Sequence, residues 1–309
     1  MIKILLSLIM AFLSIFGIGS SGGLGNDADN QPVTPTGYDL KFDISYGEES
    51  EQKLDLIIPE GIGKTLNLCV YIHGGAWMGG DKSLETENVI GYAKDRGMIA
   101  ANVNYRLLSE SRQDLNCNTQ LQDINSAVEK IVEVCQEEGY TIKNAMIMGE
   151  SAGGHIALMY AYTYADKCPV NIGLVYSICG PTNLTDIKFY TENDIPAEQM
   201  MLIQSCLTGT TITMNNLLAA EISNELMKIS PIKYVNENTV PTIFNSCGRD
   251  KLVPVSNGEV LEKLLSNYGV DYYYAEFANS GHCARNTLDI ATTSVFDMKL
   301  DEMINKYVK

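Results

Sequence analysis

At 309 residues, with 45% apolar and 19% charged side chains, the chain has an ordinary globular balance and ample material for a core, and its length fits one domain or two. A formal net charge of −16 repels phosphate backbones and anionic lipid, which argues against nucleic acid or a membrane surface as an electrostatic partner.

Lys3 precedes an uncharged apolar run from Ile4 to Ile18, followed by small residues at Gly19, Ser20 and Ser21. This layout predicts a secretory signal peptide over residues 1–21 and hence a secreted or cell-surface protein. The run is short for a membrane span of about 20 apolar residues, and an uncleaved anchor is the alternative. Residues 22–37, rich in Gly, Asn, Asp and Pro, read as a flexible linker.

The folded part is expected over 38–309. Tyr38, Leu40, Phe42, Ile44 and Tyr46 alternate with polar residues, as in a half-buried strand, and Leu54–Ile58 supplies a second. Beyond residue 66 the pattern becomes short continuous apolar runs separated by helix-length amphipathic segments. That alternation predicts an α/β fold: a mostly parallel sheet with helices on both faces and an antiparallel N-terminal strand pair. The strand candidates are 66–72, 99–104, 145–148, 172–178, 242–245 and 272–277. The clearest helix places Leu121, Ile124, Val128, Ile131 and Cys135 on one face, after polar N-cap candidates Asn118 and Thr119. Residues 183–230 break the rhythm and read as a cap-like insertion over the sheet's edge.

The eight cysteines are even in number, which export would allow to pair. Cys69, Cys179 and Cys247 fall in or at the end of strand-like runs, where a thiol behaves as a small hydrophobe. One or two bridges remain open, with Cys117 and Cys168 as the loop candidates. No Cys-x-x-Cys pair or His/Cys/Asp spacing suits a metal, so neither metal nor cofactor is expected.

The chemistry is concentrated in four places. "AMIMGESAGGHIAL" holds Gly149-Glu150-Ser151-Ala152-Gly153, a G-x-S-x-G at a strand-to-helix turn, where small neighbours let a serine stand exposed above the sheet. "PTIFNSCGRDKLVP" puts Asp250 just after a strand, and "FANSGHCAR" puts His282 in a small-residue loop after the next one. The order Ser151, Asp250, His282 is that of the α/β-hydrolase triad. In these roles His282 takes the serine proton and Asp250 orients the imidazole. His155, one turn into the helix after the serine, is expected to pack or hydrogen-bond behind the site. In "YIHGGAW" the Gly74 and Gly75 amides, with that of Ala152, are the candidate oxyanion donors, and His73 is a brace for their loop.

Together "HGGAW", "GESAGG", "NYRLLSE" and "GRDKLVP" resemble the α/β-hydrolase esterases related to hormone-sensitive lipase, especially the subgroup with bacterial carbohydrate and feruloyl-type esterases. The resemblance spans most of residues 50–290 and implies the α/β-hydrolase fold, Ser151 as nucleophile with Asp250 and His282 as its partners, and Gly74, Gly75 and Ala152 as oxyanion hole. Glu150 stands where the family more often has aspartate, a supporting position. Lipase-like members carry a longer cap segment before His-Gly-Gly; here the stretch from Tyr38 to His73 reads as strands, which favours a more open site over small or sugar-borne acyl groups. Trp77, Met78 and Tyr190, with Met200 and Met201, are the candidate substrate contacts.

The function expected is a serine carboxylesterase removing short acetyl or aromatic acyl groups from a small-molecule or oligosaccharide ester. Two alternatives stand beside it: an amidase resembling kynurenine formamidase, whose family also has a His-Gly-Gly-x-Trp motif, and a non-catalytic binding protein on a hydrolase fold.

Overall fold

The computed structural model describes residues 35–309; the predicted signal peptide and most of the predicted linker lie outside them. Gly37, the last linker residue, already begins β1. Strand β1 (Gly37–Ser45) pairs antiparallel with β2 (Lys53–Glu60), which leads into β3 (Thr65–Ile72). Helix α1 (Thr86–Arg96), β4 (Ile99–Val103), α2 (Cys117–Glu137), β5 (Thr141–Glu150), α3 (Ala152–Tyr164) and β6 (Asn171–Ile178) follow. Between β6 and β7 (Thr242–Cys247) the chain inserts α4 (Lys188–Thr191), α5 (Ala197–Thr208) and α6 (Ala220–Lys228). It closes with α7 (Ser256–Tyr268), β8 (Tyr272–Phe277) and α8 (Ile290–Tyr307).

The eight strands form one sheet in the order β1-β2-β4-β3-β5-β6-β7-β8. From β4 to β8 across that order every pairing is parallel, while β2 runs antiparallel to both its neighbours. This is the α/β-hydrolase architecture expected from the sequence.

The strands read as unbroken apolar runs because both sheet faces are covered. On β3, Val70 and Ile72 point into a core shared with Ile124 and Val128 of α2, Ile156 of α3 and Leu261 of α7. The intervening Cys69 and Tyr71 point the other way, toward Val89 of α1 and Phe296 and Leu300 of α8. A period of two thus partitions one run between two cores.

Several local details differ from expectation. Helix α2 is capped by Asn116, not by Asn118 or Thr119: the Asn116 side chain accepts from both of their amides, and Thr119 Oγ1 accepts from the Asn116 amide in return. Asparagine two residues earlier wins because it alone completes that reciprocal box, a cap worth about 1 kcal/mol. Strand β1 exists, but Leu40 and Phe42 are exposed. It is an edge strand with an irregularity between Lys41 and Ile44, where Asp43 lies at φ +55°, and of the alternating set Tyr38, Ile44 and Tyr46 pack against the cores. Neither Cys117 nor Cys168 forms a bridge: all eight cysteines are free, and Cys117 is not in a loop but is the buried first residue of α2.

A candidate active site at the carboxyl edge of the sheet

Ser151 sits between β5 and α3 with φ +51° and ψ −120°, a strained corner for a residue with a side chain. The corner is packed from below: a Cβ on Gly153 would lie 2.1 Å from the Ile72 carbonyl oxygen, and one on Gly149 would meet Gly153 at 2.5 Å. The two glycines of the motif are therefore steric requirements of the approach of α3 to β3 and β5. The Ser151 amide donates to the Ile178 carbonyl at 2.8 Å, which ties the corner to β6.

The three predicted residues meet. His282 Nε2 lies 2.8 Å from Ser151 Oγ, and His282 Nδ1 lies 2.7 Å from Asp250 Oδ2. The other Asp250 oxygen, Oδ1, accepts from the Leu252 and Val253 amides at 2.7 and 3.0 Å, so the carboxylate is oriented by backbone. The His282 loop is held from behind by Asp289, which accepts from the Asn279 amide and from Ser280 Oγ at 2.6 Å. Burial alone would lower the His282 pKa, but the Asp250 carboxylate outweighs it, aided by Cys179 and Glu150, and the imidazole sits above its ordinary value.

The Gly74–Gly75 loop lies directly over this corner: a Cβ on Gly74 would come within 3.3 Å of Ser151 Cβ. Gly75, at φ +119°, could not carry a side chain, since its Cβ would strike the Gly79 carbonyl at 2.2 Å. His73 stacks on Tyr105 with centroids 4.5 Å apart, and its Nδ1 donates to the Gly74 carbonyl at 2.7 Å. Burial lowers its pKa to about 4, so the ring is neutral. Glu150 lies against the same loop, its Oε1 within 3.3 Å of the Gly74 Cβ position. Burial and then the Glu85 carboxylate raise its pKa to about 7, against the opposing effects of His282 and the Tyr71 hydroxyl bond.

A cavity of about 80 Å³ opens beside Ser151, several times the ~10–15 Å³ that one water needs. Trp77 and Met78 line it, as predicted from their place after the glycines, and so does Met200. Tyr190 and Met201 do not. The Tyr190 hydroxyl donates to Oε1 of Gln204, a wall residue, and Met201 is buried in the core. The remaining wall comes from residues with no local signature: Leu184, Phe189, Ile203 and Gln204 of the insertion, and Leu252 and Val253 after Asp250. Gln199 and Gln204 are the two amides of α5 that reach the cavity, and nothing in the local sequence marks them out. Among the described residues no cap precedes His73, yet the site is not open, because the insertion between β6 and β7 lines it.

His155 is fully buried behind Trp77. The indole Nε1 donates to His155 Nδ1 at 3.1 Å, and His155 Nε2 faces the Ile229 carbonyl at 2.7 Å. This agrees with the supporting role expected for it.

Comparison with known proteins places this geometry in context. The BD-FAE family model matches residues 54–265. Kynurenine formamidase of Danio rerio is 27% identical over 122 residues, 40% of this chain and 39% of that protein. The chain thus spans about two fifths of the length of that curated relative. Esterase B from Lactobacillus rhamnosis (HN001) superposes with a TM-score of 0.68 at 18% identity, covering 90% of this chain and 89% of that one. A truncated carbohydrate esterase from gut microbiota superposes at 0.62 with 16% identity, covering 87% and 98%. At such identities the structural likeness establishes the shared fold.

Proposed function

The chain belongs to the BD-FAE family, and from that premise we propose that it is a serine carboxylic-ester hydrolase that removes short acyl groups through an acyl-enzyme. The observation that carries this reading is the continuous line from Asp250 through His282 to Ser151 Oγ, with separations of 2.7 and 2.8 Å. In the proposed reaction His282 Nε2 takes the Ser151 proton as Oγ attacks the ester carbonyl. The developing oxyanion is met by the amides of Gly74, Gly75 and Ala152, the last at the start of α3, where the helix dipole also favours negative charge. His282 then protonates the departing alcohol, and water, activated by the same base, releases the acid and restores Ser151.

The acyl group is placed in the cavity beside Ser151. Its walls of Leu184, Phe189, Met200 and Ile203 are apolar, and its size suits acetyl or another compact acyl group. A carbohydrate alcohol is the leaving group favoured here, supported by the sequence resemblance and by the gut carbohydrate esterase of like fold. The amidase reading is supported by the kynurenine formamidase similarity and is separated by substrate. Acetylated xylan, feruloylated oligosaccharide, N-formylkynurenine and nitrophenyl esters of rising chain length form the test panel. Turnover should be confined to esters and fall as the acyl group outgrows the cavity; turnover of N-formylkynurenine alone would replace the esterase reading. A fluorophosphonate probe should label Ser151, and failure to label would favour a binding protein. Export, proposed from residues 1–21, is tested by the N-terminal sequence of the mature protein.

The acid limb of the pH profile follows from the charges around His282. Activity requires the neutral imidazole, and its pKa lies above the ordinary 6.5, so kcat/KM should rise with pH through a midpoint above that value. In its ionised form Glu150 contributes to this elevation, and with its own pKa raised to about 7 it is only partly ionised around that midpoint. Glu150→Gln removes the charge and should move the midpoint down; a profile that stays put would show that Glu150 does not act on the base.

A further inference from the structure

The turn that carries the oxyanion glycines is strained. Gly75, Ala76 and Trp77 follow one another at φ of +119°, +51° and +60°, a conformation strained for the two residues that carry a Cβ. Such a turn persists only if its surroundings impose it. Part of the restraint is backbone: the Trp77 carbonyl accepts from the Leu108 amide at 2.9 Å and from Gln120 Nε2 at 3.1 Å. The indole is the other handle, and its Nε1 donates to His155 Nδ1 at 3.1 Å.

The two partners of His155 fix its protonation. An indole N–H can only donate and a peptide carbonyl can only accept, so Nδ1 must be the bare nitrogen and Nε2 must carry the proton. Burial, opposed only in part by the bond to Ile229, lowers its pKa to about 4 and keeps the ring in that neutral form. The ring edge meets the indole at 5.2 Å between centroids. Its backbone amide donates to the Ser151 carbonyl at 3.0 Å. One side chain therefore joins the oxyanion turn, the nucleophile helix and the end of the insertion, three segments far apart in sequence.

Resting on the esterase reading, we propose that His155 is a positioning residue that acts through Trp77 to set the Gly74–Gly75 donors and the Trp77 wall of the acyl cavity against Ser151. Misplacement by about 1 Å in such a constellation can cost up to ~10²-fold in rate.

The two ring nitrogens can be replaced separately. His155→Asn leaves an amide oxygen near the Nδ1 position, able to accept from Trp77, while it loses the reach to Ile229. His155→Gln leaves a donor near the Nε2 position and no acceptor for the indole. Trp77→Phe removes the donor itself. Using the full chain and nitrophenyl esters of rising chain length, kcat and KM are measured for these variants and for His155→Gln combined with Trp77→Phe. His155→Gln and Trp77→Phe should each lower kcat by about 10- to 100-fold and shift the chain-length preference in the same way, with the double variant no worse than the singles. His155→Asn should retain most of kcat even if its melting temperature falls.

Multiplicative losses in the double variant, or a loss in His155→Asn equal to that in His155→Gln, would overturn the proposal and leave His155 a packing residue. Wild-type turnover with fluorophosphonate labelling of Ser151 is recorded alongside; its failure would overturn the esterase reading itself, independently of how the variants rank.

Discussion

Ser151→Ala is expected to lower ester turnover by about 10⁶-fold while the protein stays folded. The magnitude follows from the unit behaviour of such a relay: without the hydroxyl, the base and its carboxylate have no proton to move, and only binding and oxyanion stabilisation remain. The fold should survive because the substitution removes one oxygen without altering the backbone demands of the corner. The glycines that allow α3 to approach β3 are untouched, and His282 keeps its 2.7 Å bond to Asp250. Hydrolysis of a short nitrophenyl ester, measured beside a thermal unfolding curve, decides the matter. Turnover near the wild-type rate in a folded variant would remove Ser151 from the nucleophile role and leave the strained corner without a chemical purpose.

Asp250→Asn should cost about 10⁴-fold in kcat, and the structure specifies how. Oδ1 of Asp250 accepts two backbone amides, from Leu252 and Val253. An asparagine must present its oxygen to those same donors, since turning its NH2 toward them would set donor against donor. Its NH2 is then left facing His282 Nδ1, which must become an acceptor. The imidazole proton moves to Nε2, pointing at Ser151 Oγ, and a nitrogen already protonated cannot take the serine proton. The loss is one of tautomer rather than of geometry, so the variant should retain fluorophosphonate-sized access and a near-normal KM. A near-normal kcat would transfer the orienting role to another carboxylate.

The geometry of the proposed chemical centre was legible in the sequence because its constraints are local. A strand-to-helix corner at positive φ needs small residues on both sides of Ser151, two adjacent amides open to an oxyanion need glycine at Gly74 and Gly75, and Asp250 and His282 each follow directly on a strand end. The alternation of apolar runs with amphipathic segments likewise exposed the sheet, since a strand covered on both faces must be apolar throughout. Edge behaviour was not legible: Leu40 and Phe42 alternate like a buried face, but among the described residues β1 has one neighbouring strand, and both side chains stay exposed.

The substrate side escaped for a related reason. Met200 and Met201 are equally apolar and adjacent, and Tyr190 lies in the same insertion; which of them meets the cavity depends on how the helices between β6 and β7 dock over the strand ends. Docking put Met200 into the cavity and turned Tyr190 toward Gln204. The same holds for Trp77 and His155, whose contact spans 78 positions and has no local pattern to announce it. The sequence by itself determined the parallel sheet, the elbow and the order of the reacting groups, because steric and hydrogen-bonding requirements within a few residues specify them. Only the tertiary structure decided the cavity beside Ser151, its wall and the Trp77–His155 contact, because those arise from side chains brought together by packing across the sheet's edge, where many sequences are locally compatible and burial chooses among them.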